Sequence, residues 1–86
     1  MRSACFGKEV VITEHARQRM REREVEEGTL LDTIETGELR RIDEVHCFIF
    51  KHHAARRDNL VCAAAVDEAR LIVKTVMIRW KLRGTA

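Results

Sequence analysis

Apolar residues near the start of this chain follow the period of a helix. Ile12, Ala16 and Met20 recur every four residues, so they share one side of a helix. Thr13 is a favourable N-cap for this helix, because its hydroxyl can accept a hydrogen bond from a backbone N–H of the first turn. Residues 10–12 are a short β-prone run that leads into the helix.

A second helix is predicted for residues 25–36. Leu30, Leu31 and Ile34 are spaced so that they form one buried side. Gly37 follows directly and is a common residue just beyond a helix C-terminus.

The period then shortens to that of β-strands. Four strands are predicted, at residues 39–43, 45–51, 60–66 and 70–80. The third is continuously apolar, which is typical of a strand covered on both faces. We therefore predict an α+β fold with two N-terminal helices packed on one face of a four-stranded antiparallel sheet. The expected core residues are Met20, Leu30, Leu31, Ile34, Val61 or Cys62, and Val73.

Length and composition predict one small cytoplasmic domain. The chain has 86 residues, of which 45% are hydrophobic and 35% charged, and we expect a single domain over 1–86 with an ordered core at 10–80. No apolar run approaches the roughly 20 residues of a membrane span. The three cysteines are an odd number at unrelated spacings, which favours reduced thiols over a disulfide framework.

Charge is distributed unevenly between the two halves. Residues 1–43 carry a net charge of −2 and residues 44–86 a net charge of +4. The last 17 residues contain five cations and no acid. This asymmetry favours an acidic partner, either a nucleic acid or an acidic protein surface.

The first helix carries the candidate chemistry. His15, Arg19 and Arg23 follow each other at four-residue spacing, on a face different from that of Ala16 and Met20. Like-charged pairs one turn apart cost roughly 0.2–0.5 kcal/mol each in a bare helix. The arrangement suggests that the arginines hold something anionic.

These residues resemble a known family. The motif His15-Ala16-x-x-Arg19-x-x-x-Arg23, an acidic second helix ending in Thr-Gly, and a final Val-Lys-Thr-Val strand resemble a bacterial domain-of-unknown-function family. Its members look like RelE/MqsR-type toxins, so the resemblance implies a compact α+β domain that cleaves RNA and is encoded beside a small antitoxin. The family pattern has Arg-Gly-Ile between the helices. Glu24 replaces that glycine here, so a left-handed glycine turn is not expected.

RNA cleavage without a metal needs an acid–base group and cationic groups around the phosphate. His15 is the candidate acid–base group, Arg19 and Arg23 are the candidate phosphate clamps, and Lys74 and Arg79 add positive charge from the last strand. The simpler reading is a first-turn histidine bound to a backbone carbonyl and a solvated face of arginines.

Residues 51–58 form a basic loop in which Arg56 and Arg57 are candidate phosphate contacts; otherwise the loop is a solvated hairpin connection. The four histidines and three cysteines lack the spacing of a compact zinc site, so no metal or cofactor is expected. Cys47 and Cys62 are placed on neighbouring strands, where they can face each other.

Two functional hypotheses follow. The first is a toxin-like domain that cleaves RNA without a metal and is neutralised by a co-encoded antitoxin protein. The second is a non-catalytic interaction module whose basic surface binds an acidic protein or a nucleic acid. The discriminating feature is whether His15, Arg19 and a basic strand residue surround one site.

Overall fold

The computed structural model describes residues 1–53 and 60–78. Their elements are β1 (Arg2–Ser3), β2 (Lys8–Ile12), α1 (Glu14–Glu22), α2 (Glu27–Thr36), β3 (Glu38–Arg41), β4 (His46–His52), β5 (Leu60–Asp67) and β6 (Leu71–Ile78). The strands form one sheet of six in the order β1-β2-β6-β5-β4-β3. Neither described helix is long and apolar enough to cross a membrane.

The prediction of a four-stranded antiparallel sheet is wrong. The sheet is mixed, because β2 runs parallel to β6 with Val10 opposite Leu71 and Ile12 opposite Val73. The short strand β1 then pairs antiparallel with β2. Parallel neighbours require a long crossover, and here that crossover includes both helices. The pairing of β2 with β6 therefore joins residues about 60 positions apart, which local periodicity does not reveal.

Both predicted helices are present and cover one face of the sheet, although α2 begins at Glu27 rather than at residue 25. Thr13 caps α1, whose Ala16 and Met20 are buried, and α2 buries Leu30 and Ile34. Leu31 is only half-buried, unlike the prediction. Helix α1 packs on β6, whereas α2 contacts β4, β5 and β1, so the sheet curves around α2.

The central strand β5 is buried on both faces. Its helix-facing residues join a core that contains Val10, Ala16, Met20, Val25, Leu30, Ile34, Cys47, Ile49, Val61, Ala63, Ala65, Leu71, Val73 and Val76. Cys62 lies on the opposite face, between Phe50 and Met77, and is fully buried. Cys47 therefore does not face Cys62, and burial raises the pKa of the Cys62 thiol to about 12.

Gly37 follows the last residue of α2, at a point where its backbone is approached closely from two sides. A Cβ at this position would lie 2.4 Å from the Thr33 carbonyl oxygen and 2.6 Å from that of Phe50. Its φ of −80° is ordinary, so the need for glycine comes from space rather than from backbone handedness. This close approach places β3 beside β4 directly after the helix.

Candidate functional site

The N-terminus of α1 is fastened to β6 by Thr13. The Thr13 hydroxyl accepts a hydrogen bond from the Ala16 backbone N–H at 3.1 Å and lies 3.0 Å from the Val73 carbonyl and 3.3 Å from the Lys74 carbonyl. The Thr13 backbone N–H also donates to the Val73 carbonyl at 3.2 Å. The first turn of α1 is therefore held against the middle of β6.

A β-bulge lies at the same place. Ala64 pairs with Thr75 and Ala65 pairs with Val73, which leaves Lys74 opposite no residue of β5. The Lys74 side chain is exposed. Bulges of this kind redirect a side chain and are common beside functional sites. The sequence does not predict this bulge, because periodicity gives no signal for a one-residue register shift.

His15 stands in the first turn of α1, two residues after Thr13. Its side chain is exposed and forms no hydrogen bond or ion pair within residues 1–53 and 60–78. It therefore does not bind a backbone carbonyl as the simpler interpretation expected. The Lys74 ammonium likewise has no acidic partner in the described part of the chain. Two basic side chains that form no hydrogen bond or ion pair among the described residues thus belong to adjoining segments.

Arg19 and Arg23 are not free cations. Arg19 Nη1 lies 2.6 Å from Glu22 Oε1, and Arg23 Nη1 lies 3.7 Å from the same oxygen. The hydrogen bond from Arg19 holds the pKa of the Glu22 carboxyl below its usual value. Glu22 therefore stays ionised near neutral pH and offsets part of the positive charge of the pair.

The opposite side of α1 borders a groove of about 340 Å³ at the junction with α2. Met20 and Val25 contribute apolar surface, and Arg17, Arg21 and three glutamates surround it. Arg17 pairs with Glu27 of α2 at 3.4 Å. Arg17 therefore contributes to the contact between the two helices.

The connection between the helices contains a residue whose backbone adopts the left-handed conformation. Glu24 has a φ of 54°, although it replaces the glycine of the family pattern. The prediction that this turn would not be left-handed is therefore wrong. The Val25 N–H donates to the Met20 carbonyl at 2.8 Å, so the turn closes α1 and directs the buried Val25 into the core.

A second polar cluster joins α2 to the end of β4. Lys51 Nζ binds Asp32 Oδ2 at 2.8 Å and Thr36 Oγ1 at 2.7 Å, and the Lys51 hydrogen bond lowers the pKa of Asp32. His53 Nε2 lies 2.9 Å from the buried Thr33 hydroxyl. Thr33 donates its proton to the Thr29 carbonyl, so His53 Nε2 is the donor. These contacts give His53 a structural role.

Three predicted nucleic-acid contacts cannot be placed. Arg56, Arg57 and Arg79 lie outside the described residues. Of the four predicted catalytic residues, His15 and Lys74 belong to segments that Thr13 joins, whereas Arg19 and Arg23 extend along α1 and bind Glu22. Among the described residues, no group of three or more His, Cys, Asp or Glu side chains converges as a metal site.

A family model described as "Domain of unknown function (DUF4258)" matches residues 12–78. The chain belongs to this family. The matched range holds α1, the bulge at Lys74 and the motif from His15 to Arg23, whereas β1 and most of β2 precede it. No curated protein and no solved structure matches the chain. This match confirms the prediction that the chain belongs to a domain-of-unknown-function family.

Proposed function

We propose that this DUF4258 domain is a toxin-like protein that binds RNA and cleaves it without a metal, as the resemblance to RelE/MqsR-type toxins implies. The observation that carries the proposal is the junction of α1 and β6. Thr13 binds the carbonyls of Val73 and Lys74, so the segments that carry His15 and Lys74 are joined. Both side chains are exposed and neither has a polar partner among residues 1–53 and 60–78.

The reaction uses groups of these types. His15 takes the proton from a ribose 2′-OH, and the 2′-oxygen attacks the adjacent phosphorus. Lys74 and Arg19 stabilise the charge on the pentacoordinate phosphate. The bond from phosphorus to the 5′-oxygen breaks as that oxygen takes a proton from a water molecule, and His15 then releases its own proton to solvent. The products are a 2′,3′-cyclic phosphate and a 5′-hydroxyl, so their end groups identify the chemistry.

The purified wild type is expected to cut total RNA in the presence of a chelator and to arrest growth when expressed. His15→Ala should abolish both effects with a change in unfolding free energy within about 0.5 kcal/mol, because the side chain is exposed. His46→Ala is the control, since His46 is an exposed histidine in the first position of β4, where its ring contacts Asp43 rather than α1 or β6. Arg19→Lys should be impaired, because an ammonium does not reproduce the planar guanidinium fork.

A folded wild type that is inert toward RNA and harmless to cells would contradict the enzymatic proposal. Equal losses in His15→Ala and His46→Ala would also contradict it, because the effect would then not belong to the junction of α1 and β6. A co-encoded antitoxin with an acidic surface is the expected partner, and its binding should protect RNA from the wild type.

The alternative is an interaction module that binds an acidic protein or nucleic acid without cleaving. One observation favours it: Glu22 already contacts both Arg19 and Arg23, so the free protein holds its candidate clamp partly neutralised. RNA binding that is retained in His15→Ala and never followed by cleavage would support this module.

A further inference from the structure

The strand β3 lies at one end of the sheet and is exposed along its whole length. Each residue from Glu38 to Arg41 is solvent-exposed, and β4 is the one strand among the described elements that pairs with it. Leu39 is 40% exposed, an unusual degree for a large apolar side chain in this fold. The outer edge of β3 therefore presents backbone groups and an apolar side chain to solvent.

The hydrogen-bond pattern identifies which backbone groups face outward. The Ile42 N–H donates to the His46 carbonyl at 2.9 Å, so residue 42 points its backbone toward the partner strand. In an antiparallel pair this direction alternates along the strand. Arg40 and Glu38 therefore also face β4, whereas Leu39 and Arg41 direct their N–H and carbonyl groups to the outer edge.

The side chains of β3 are self-complementary in one antiparallel register. When two copies pair around Leu39, the outward N–H and carbonyl groups of Leu39 in one copy meet those of Leu39 in the other copy. Glu38 falls opposite Arg40 on both sides of the two-fold axis, so each cross-strand pair has opposite charges.

The neighbouring register is disfavoured by charge. A shift of the centre from Leu39 to Arg40 keeps the outward backbone groups aligned but places Arg40 opposite itself. Within one copy, Arg40 Nε already lies 3.5 Å from Glu38 Oε2, and both side chains are more than half exposed. The two groups are thus available to exchange this contact for one across the axis.

We propose that the outer edge of β3 is a self-association surface that pairs antiparallel with β3 of a second copy of this chain, with Leu39 on the two-fold axis. The result is a continuous sheet of twelve strands. The contact is short, so the association is weak and depends on protein concentration. It lies on a different part of the molecule from the junction of α1 and β6.

The test is sedimentation equilibrium of the full chain over roughly 10 µM to 1 mM protein at low salt. The wild type should show a monomer–dimer equilibrium. Glu38→Arg or Arg40→Glu should raise the dissociation constant about tenfold, because each substitution places like charges opposite each other twice. The double variant Glu38→Arg/Arg40→Glu should restore the wild-type value, since the pairs are complementary again.

Glu68→Arg is the matched control, because it makes the same change in charge in the exposed turn before β6. Circular dichroism of each variant verifies that the fold is retained. A wild type that stays monomeric over the whole range would overturn the proposal. Equal weakening by Glu68→Arg and Glu38→Arg, or failure of the double variant to restore association, would overturn the pairing around Leu39.

Discussion

Two glutamates affect α1: Glu22 contacts arginines on its charged face, and Glu24 forms the turn that follows its C-terminus. Glu22 binds two of the arginines that the sequence marks as phosphate clamps. Glu24 adopts a left-handed backbone conformation that costs an L-residue roughly 1–2 kcal/mol. The Val25 side chain beyond it is buried, so core packing stabilises the strained turn.

Glu24→Gly should make the protein more stable than Glu24→Ala by about 1 kcal/mol, because glycine adopts a positive φ without steric cost. Both substitutions remove the same carboxylate, so their difference isolates the backbone effect. Urea unfolding of the two variants measures it. Equal stability of the two variants would show that the turn is unstrained.

At the level of elements, the junction of α1 and β6 connects the fold to the proposed activity. The Thr13 hydroxyl serves as a helix cap and as a link to the carbonyls of Val73 and Lys74. The bulge at Lys74 breaks the alternation of β6 where α1 begins. A catalytic role for His15 depends on this link, since it fixes the first turn of the helix.

Thr13→Ala should lower the free energy of unfolding by about 0.5–2 kcal/mol, the range seen for lost N-caps. Thr13→Ser keeps the hydroxyl and should stay near the wild type. Urea denaturation of both variants, with RNA cleavage measured on the same samples, gives the comparison. A Thr13→Ala protein with unchanged stability would indicate that the hydroxyl does not hold the helix to β6.

The sequence predicts the parts of this fold that depend on neighbouring residues. The Thr13 cap, the buried sides of both helices and the succession of strands after Gly37 all follow from local pattern. The position of β2 in the sheet does not follow from local pattern, because three apolar residues give little periodicity and its parallel partner lies about 60 residues away. The site is predicted less completely. His15 is identified by its motif, but the bulge at Lys74 arises from tertiary pairing.

Across the whole molecule, one carboxylate links strands from opposite sides of the sheet. Asp67 at the end of β5 binds Lys8 of β2 and, at 2.8 Å, Arg41 of β3. Its side chain is only 9% exposed. The hydrogen bond from Lys8, followed by that from Arg41, holds the pKa of Asp67 below its usual value.

The lowered pKa predicts how Asp67 contributes to stability at different pH values. Its contribution is fully present above the pKa of the unfolded state, near 4, and is lost as the pH falls through the lower folded pKa. Asp67→Asn should cost about 1–3 kcal/mol at pH 7 and progressively less below pH 4. Glu44→Gln is the control, since Glu44 is exposed and has no partner among the described residues. A cost that stays constant with pH would contradict this role.

RNA affinity of Glu22→Gln is the most direct test of the proposed RNA-binding face of α1. The substitution removes the carboxylate that Arg19 and Arg23 share, so affinity for a single-stranded RNA should rise several-fold at low salt and depend more steeply on salt. Glu27→Gln makes the same change in charge but releases Arg17 on the other side of the helix. The account predicts a clearly larger gain for Glu22→Gln. Equal gains in both variants, or no change in Glu22→Gln, would contradict it.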